Sequence, residues 1–155
     1  MTAKPKINII GTGGTIAGRS ASATHLAYDA AKLSVDELLE DIPGLKDIAD
    51  ISSTNLFALN SKDMGPGEWL KLARRVETCA EDQDTAGVVV THGTDTLEEA
   101  ALFLELTLRT QKPVVITGSM RAATALSADG PANLYQAVQV SASSQATGRG
   151  GLGVL

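Results

Sequence analysis

The strongest constraint on the fold is a change of hydrophobic period that recurs along the chain. Val88-Val89-Val90-Thr91 is a short β-branched run, the composition of a strand buried on both faces. Leu97, Ala100, Ala101, Leu104 and Leu108 then follow at helical spacing, all on one face. Four residue types meet between the two periods: the hydroxyls of Thr94 and Thr96, the Asp95 carboxylate, the His92 imidazole and Gly93. A chain that alternates strand and helix forms a parallel sheet with helices on both faces. Ligands bind such sheets in the crevice at the carboxyl ends of the strands, where this polar cluster falls.

The same alternation runs through the rest of the sequence. Lys6 to Ile10 reads as the first strand, and Gly11 to Gly18 as a glycine-rich loop. Arg19 to Leu33 has no clean period and few apolar anchors, the pattern of a lid or a mobile surface loop. Ser34-Val35-Asp36-Glu37 is a capping box, which predicts a short helix through Glu40 ending near Pro43-Gly44. The second half of Ile48–Leu59 alternates as a strand, and Asn60 to Met64 is a polar turn. Pro66 suits a helix's first turn, and Trp69, Leu72, Ala73, Val76 and Ala80 line one face, so Trp69 reads as core. Val114–Thr117 is a fourth buried strand. A helix from Asp129-Gly130-Pro131 follows, with Leu134, Ala137, Val138 and Ser141 on a face, and Gly148–Leu155 begins another strand.

At 155 residues the chain has the length of one domain with a real core. Its formal charge of −5 argues against binding a phosphate backbone, which requires clustered Lys and Arg. No apolar run reaches membrane-spanning length, and the stretch after Lys4 and Lys6 is too short for a signal peptide, which fits a cytoplasmic protein. Cys79 is the one cysteine and its helical context suggests packing, while His25 and His92 are too few for a histidine-rich metal site. No cofactor is implied.

The loop after the first strand meets neither nucleotide motif. Gly11 and Gly13 begin a G-x-G-x-x-G pattern whose third position is Ile16, and the last glycines precede Thr15 and Arg19 rather than the lysine of a P-loop. Around Asp95 a plainer reading exists, because Thr96-x-x-Glu99 and Asp95-x-x-Glu98 both fit capping boxes. A cap at one helix does not predict that Ile7–Ile10 also ends in glycines and threonines. Two parallel strands that end alike can surround one small crevice with hydroxyls and free N–H groups.

Thr12-Gly13-Gly14-Thr15-Ile16-Ala17-Gly18 together with Thr91-His92-Gly93-Thr94-Asp95-Thr96 resembles the two signature segments of bacterial-type L-asparaginases. Gly118-Ser119-Met120-Arg121, Ser127-Ala128-Asp129-Gly130-Pro131 and Asn133-Leu134-Tyr135 are similar to that family too, in its order. The resemblance runs from Ile7 to the end. It implies a three-layer α/β sandwich with a mainly parallel, Rossmann- or flavodoxin-like sheet, with residues 1–155 as the amino-terminal domain. The small carboxyl-terminal domain, and the lysine the family pairs with its second threonine, would lie beyond residue 155.

By resemblance the activity is hydrolysis of L-asparagine, or of L-glutamine, to the acid and ammonia. Thr15 is then the nucleophile that forms an acyl-enzyme, Thr94 the second catalytic threonine, and Tyr28 the lid tyrosine that reaches Thr15. Asp95 would hold the substrate α-ammonium, Ser61 its α-carboxylate, and Ser119 would contact its side-chain amide through the backbone. Lys62 stands where the family usually has Gln or Glu. A cation there favours a carboxylate and disfavours a nearby ammonium, which bears on substrate preference. His92 is not the family's base, and a structural hydrogen bond is expected of it. The partner implied is a small amino acid, with no nucleic acid and no membrane, and the family forms homo-oligomers, commonly tetramers. Two other classes remain open on the residues alone: an inactive amino-acid-binding or regulatory module, and a nucleotide-binding α/β module.

Overall fold

A computed structural model of the chain describes residues 3–21, 29, 32–40 and 42–155. Its centre is a sheet of five strands: β1 (Lys6–Gly13), β2 (Asp50–Leu59), β3 (Thr85–Thr91), β4 (Val114–Thr117) and β5 (Gly151–Val154). Every pair is parallel and the order is β2-β1-β3-β4-β5. The helices are α1 (Val35–Glu40), α2 (Leu45–Ile48), α3 (Pro66–Glu81), α4 (Leu97–Thr107) and α5 (Gly130–Ser141).

The period of two in the buried strands divides the core between two faces. Ile7, Ile9, Val89 and Val115 point to one side, where Val35 of α1, Leu45 of α2 and Leu134, Ala137 and Val138 of α5 cover them. Ile10, Val88, Val90, Val114 and Ile116 point to the other, against Leu72 and Val76 of α3 and Leu97, Ala100 and Leu104 of α4. This is the expected three-layer sandwich.

Local chemistry sets several boundaries. The Ser34 backbone N–H donates to Glu37 Oε2 at 2.7 Å and the Glu37 N–H to Ser34 Oγ at 3.2 Å, so the capping box forms and starts α1. Pro66 opens α3 as its first residue, where a missing N–H is harmless. Several boundaries differ from the sequence reading, and β3 opens at Thr85 rather than Val88. β1 continues through Gly13, because Gly11 still pairs with Asn55 and Thr91 on its two sides. β2 occupies all of Asp50–Leu59, as an edge strand whose first half is too polar to show its alternation. Ile48 belongs instead to the unexpected one-turn α2, held by burial of Leu45 and Ala49. α4 stops at Thr107, with Leu108 extended beyond it.

The chain runs outward in opposite directions from β1, to β2 on one side and to β3 on the other. That is a topological switch point, and the crevice at the carboxyl ends of β1 and β3 is where an open α/β sheet receives a ligand.

Candidate active site

Each of the three strands at the switch point runs into a single 3₁₀ turn. Thr15–Ala17 follows β1, Ser61–Asp63 follows β2 and Thr94–Thr96 follows β3. Three of the hydroxyl residues singled out in the sequence thus each open a turn at the same end of the sheet.

Backbone contact draws the turns together. A Cβ added at Gly14 would stand 2.5 Å from both Cα and N of Gly93, so these two loops touch main chain to main chain. A Cβ at Gly93 would in turn lie 2.6 Å from Ser61 Oγ, and the Gly14 N–H donates to the Leu59 carbonyl at 2.9 Å. On the far side, a Cβ at Gly118 would lie 3.1 Å from the Thr94 methyl, which brings the β4 loop with Ser119 against the β3 loop. These glycines serve the close approach of two loops.

The site residues separate by exposure. Ser61 and Ser119 are buried, Thr15 and Thr94 half-buried, and Asp95 and Lys62 exposed. Ser119 Oγ donates to the Arg121 carbonyl at 2.7 Å, so its hydroxyl proton is used within its own loop. Tyr28 lies outside the described residues, as does most of the lid expected over Arg19–Leu33. Lys62 reaches the rim of an open hollow of about 560 Å³ lined by Met64, Trp69, Thr96, Glu99 and Phe103. Trp69 is half-buried rather than fully core. Its ring meets His92 and Phe103 edge-on at 5.9 and 5.5 Å between centroids, and its N–H donates to the Met64 carbonyl.

His92 is fully buried and joins the two threonine segments. The Thr12 hydroxyl donates to the Thr91 carbonyl at 2.9 Å. The same hydroxyl lies 2.7 Å from His92 Nδ1, with donor and acceptor set by the imidazole tautomer. Nε2 faces the Thr96 hydroxyl at 3.3 Å. Burial away from water lowers the imidazole from 6.5 to about 4, so the ring is neutral near pH 7. Both nitrogens are occupied, in agreement with a structural rather than a basic role.

Thr96 also corrects the capping reading. It occupies the N-cap of α4, yet makes no side-chain bond to that helix and turns its hydroxyl to His92. Sequence reasoning assigned no part to Thr12 or to this use of Thr96. The spacing of His92 and Thr96 by four was visible, whereas Thr12 lies 80 positions from His92 and carries no local signal. Among the described residues no cluster of three or more His, Cys, Asp or Glu could hold a metal ion. No helix among them is long and apolar enough to cross a membrane.

The fold is a doubly wound α/β domain whose hydroxyl-bearing turns meet at the switch point, where domains of this class receive ligands. The chain belongs to the asparaginase family: the family model "Asparaginase, N-terminal" matches residues 6–155. It is 50% identical over 146 residues to a probable periplasmic L-asparaginase of Haemophilus influenzae, covering 94% of this chain and 41% of that one. A glutaminase-asparaginase of Acinetobacter glutaminasificans is 47% identical, over 95% of this chain and 45% of its own length. The crystal structure of a probable cytoplasmic L-asparaginase from Campylobacter jejuni superposes with a TM-score of 0.94 at 42% identity, over 98% of this chain and 46% of that one. The chain thus spans less than half the length of these relatives. Their names are those of amidohydrolases, and two of them name different compartments.

Proposed function

We propose that this chain is the nucleophile-bearing part of an amidohydrolase acting on L-asparagine or L-glutamine. The observation that carries the reading is the main-chain contact between Gly14 and Gly93, because it brings the turn opened by Thr15 against the turn opened by Thr94. Either turn alone would be an ordinary helix entry.

In this reading the Thr15 oxygen attacks the side-chain amide carbon. Its O–H bond breaks, a C–O bond forms, and the C–N bond breaks as ammonia leaves with the added proton. Water then bonds to the carbonyl carbon of the ester and Thr15 departs as the alcohol. Thr94 orients the nucleophile or the water, Asp95 accepts from the α-ammonium, and Ser61 donates to the α-carboxylate. The Ser119 main chain meets the amide being cleaved, Tyr28 contacts Thr15, and exposed Lys62 adjusts preference among acidic and zwitterionic ligands. The proton acceptor is not His92, whose ring nitrogens are both engaged. In the family pattern it is a lysine later in the chain than residue 155.

Ammonia release from L-asparagine and from L-glutamine tests the proposal, with Thr15→Ala as background and Asp95→Asn expected to raise KM. A longer form carrying the lysine should exceed residues 1–155 at least about a hundredfold, the size of one acid–base contribution. Release that survives Thr15→Ala would end the reading. A cytoplasmic location and a homo-oligomer belong to the same proposal and are checked by fractionation and by sedimentation.

A further inference from the structure

Asp129 precedes α5 at its N-cap, where a carboxylate normally accepts from the first N–H groups of its own helix. It makes no such bond. Its oxygens instead turn back to the β4–α5 loop: Oδ2 accepts from the Met120 N–H at 2.8 Å and Oδ1 from the Arg121 N–H at 3.0 Å. The Asn133 amide stands one turn along the helix, 3.3 Å from the same Oδ2, and donates to the Gly118 carbonyl at 3.0 Å. Gly118, Met120 and Arg121 are thus all tied to the start of α5, and Ser119 lies enclosed between them. The next residue, Gly130, extends the contact. A Cβ there would meet Ile16 Cγ1 at 3.0 Å and Ser119 Cβ at 3.5 Å, so the first turn of α5 is wedged between Ser119 and the turn that begins with Thr15.

We infer that Asp129 is a positioning residue, whose carboxylate holds the Ser119 main chain at a set distance from the Thr15 turn. It touches no substrate and acts through the two amides it binds. A carboxylate is suited to this because it is an acceptor on both oxygens, whereas an amide would set an NH₂ group against one of the two main-chain N–H donors. The inference rests on the proposed function and deepens it, since in that reading the Ser119 main chain meets the scissile side-chain amide while Thr15 attacks it.

The test compares residues 1–155 with Asp129→Asn, which keeps the shape, by amide hydrogen exchange and by titration with L-asparagine. Expected are at least about tenfold faster exchange at Met120 and Arg121 with unchanged exchange at Ile9 and Val89, and shifted Thr15 and Ile16 amide resonances without ligand. Asparagine affinity should fall about tenfold. Thr15→Ala serves as the comparison: it should leave the Met120 and Arg121 amides protected. Retained protection of both amides in Asp129→Asn, or wild-type affinity despite their loss, overturns the inference. If the unmodified chain shows no response to asparagine, the functional reading fails, and the ligand-free exchange and Thr15 shifts still decide the role of Asp129.

Discussion

Three glycine-to-alanine substitutions separate the effects that bring the candidate site together. Gly67 lies in the first turns of α3 with nothing within 4 Å of an added Cβ. Gly67→Ala should be neutral or stabilising by about 0.4–1 kcal/mol, through a less flexible unfolded chain. Gly44 has φ of 79° but open space, with its nearest neighbour Asp47 Oδ2 at 3.9 Å. Gly44→Ala isolates left-handed strain and should cost about 1 kcal/mol. Gly14 has nearly the same φ, 77°, but a ψ of −173° that only glycine readily adopts, and in addition an added Cβ would meet the Gly93 Cα and N at 2.5 Å. Main chain cannot rotate aside as a side-chain tip can, so the β1 and β3 loops must part. That adds about 1–3 kcal/mol of overpacking to the strain, for a total of about 2–4 kcal/mol. Urea unfolding at pH 7, with m checked for constancy, measures all three. The expected order of stability is Gly67→Ala, wild type, Gly44→Ala, Gly14→Ala. A Gly14→Ala protein no less stable than Gly44→Ala would refute the claim that main-chain contact joins the two turns.

Further outcomes follow from the buried imidazole and the caps. His92 is held neutral in the folded chain, so the unfolded state binds the extra proton between its ordinary 6.5 and about 4. Stability is therefore fully present above that window and falls as pH drops through it, by about 2–3 kcal/mol at pH 4.5. Denaturant titrations at pH 7 and 4.5 should show this difference shrinking in His92→Gln. Thr12→Val keeps the shape but leaves the buried His92 Nδ1 without its hydroxyl partner, and should cost about 1–3 kcal/mol in the same assay at pH 7. Ser34→Ala removes the capping box of α1 and should cost about 1 kcal/mol, read as a lowered urea midpoint with unchanged m.

What could be read in advance followed how local the causes are. Val88–Val90 and Val114–Ile116 are buried on both faces, and their continuous β-branched runs located β3 and β4 closely. Pro66 and Ser34 marked helix starts by local chemistry alone. β2 was half missed because an edge strand needs only one apolar face and its polar residues hide the period. α2 was missed because a single turn carries too few residues to display a helical period. In the site, the two threonine segments were recognisable as motifs. The bonds that organise them were not, since Thr12 and His92 meet only when β1 and β3 pair. Asp129 shows the converse: its sequence context announced a helix start, and the carboxylate spends its bonds on the loop before it.

The placement of β1 in the middle of the sheet has a consequence for how the chain is made. Its partners arrive late: Asn8 meets Ser52 across 44 positions, and Thr12 meets Thr91 across 79. At synthesis rates of about 5–20 residues per second, β1 leaves the ribosome several seconds before β3 can close its second edge. Through that interval Ile7, Ile9 and Ile10, all buried in the finished sheet, face solvent on a strand with unpaired main chain. Pairings this distant in sequence also form slowly once they are possible. The central position that lets β1 carry its threonine turn into the crevice therefore leaves β1 open to misassociation until β3 has been made.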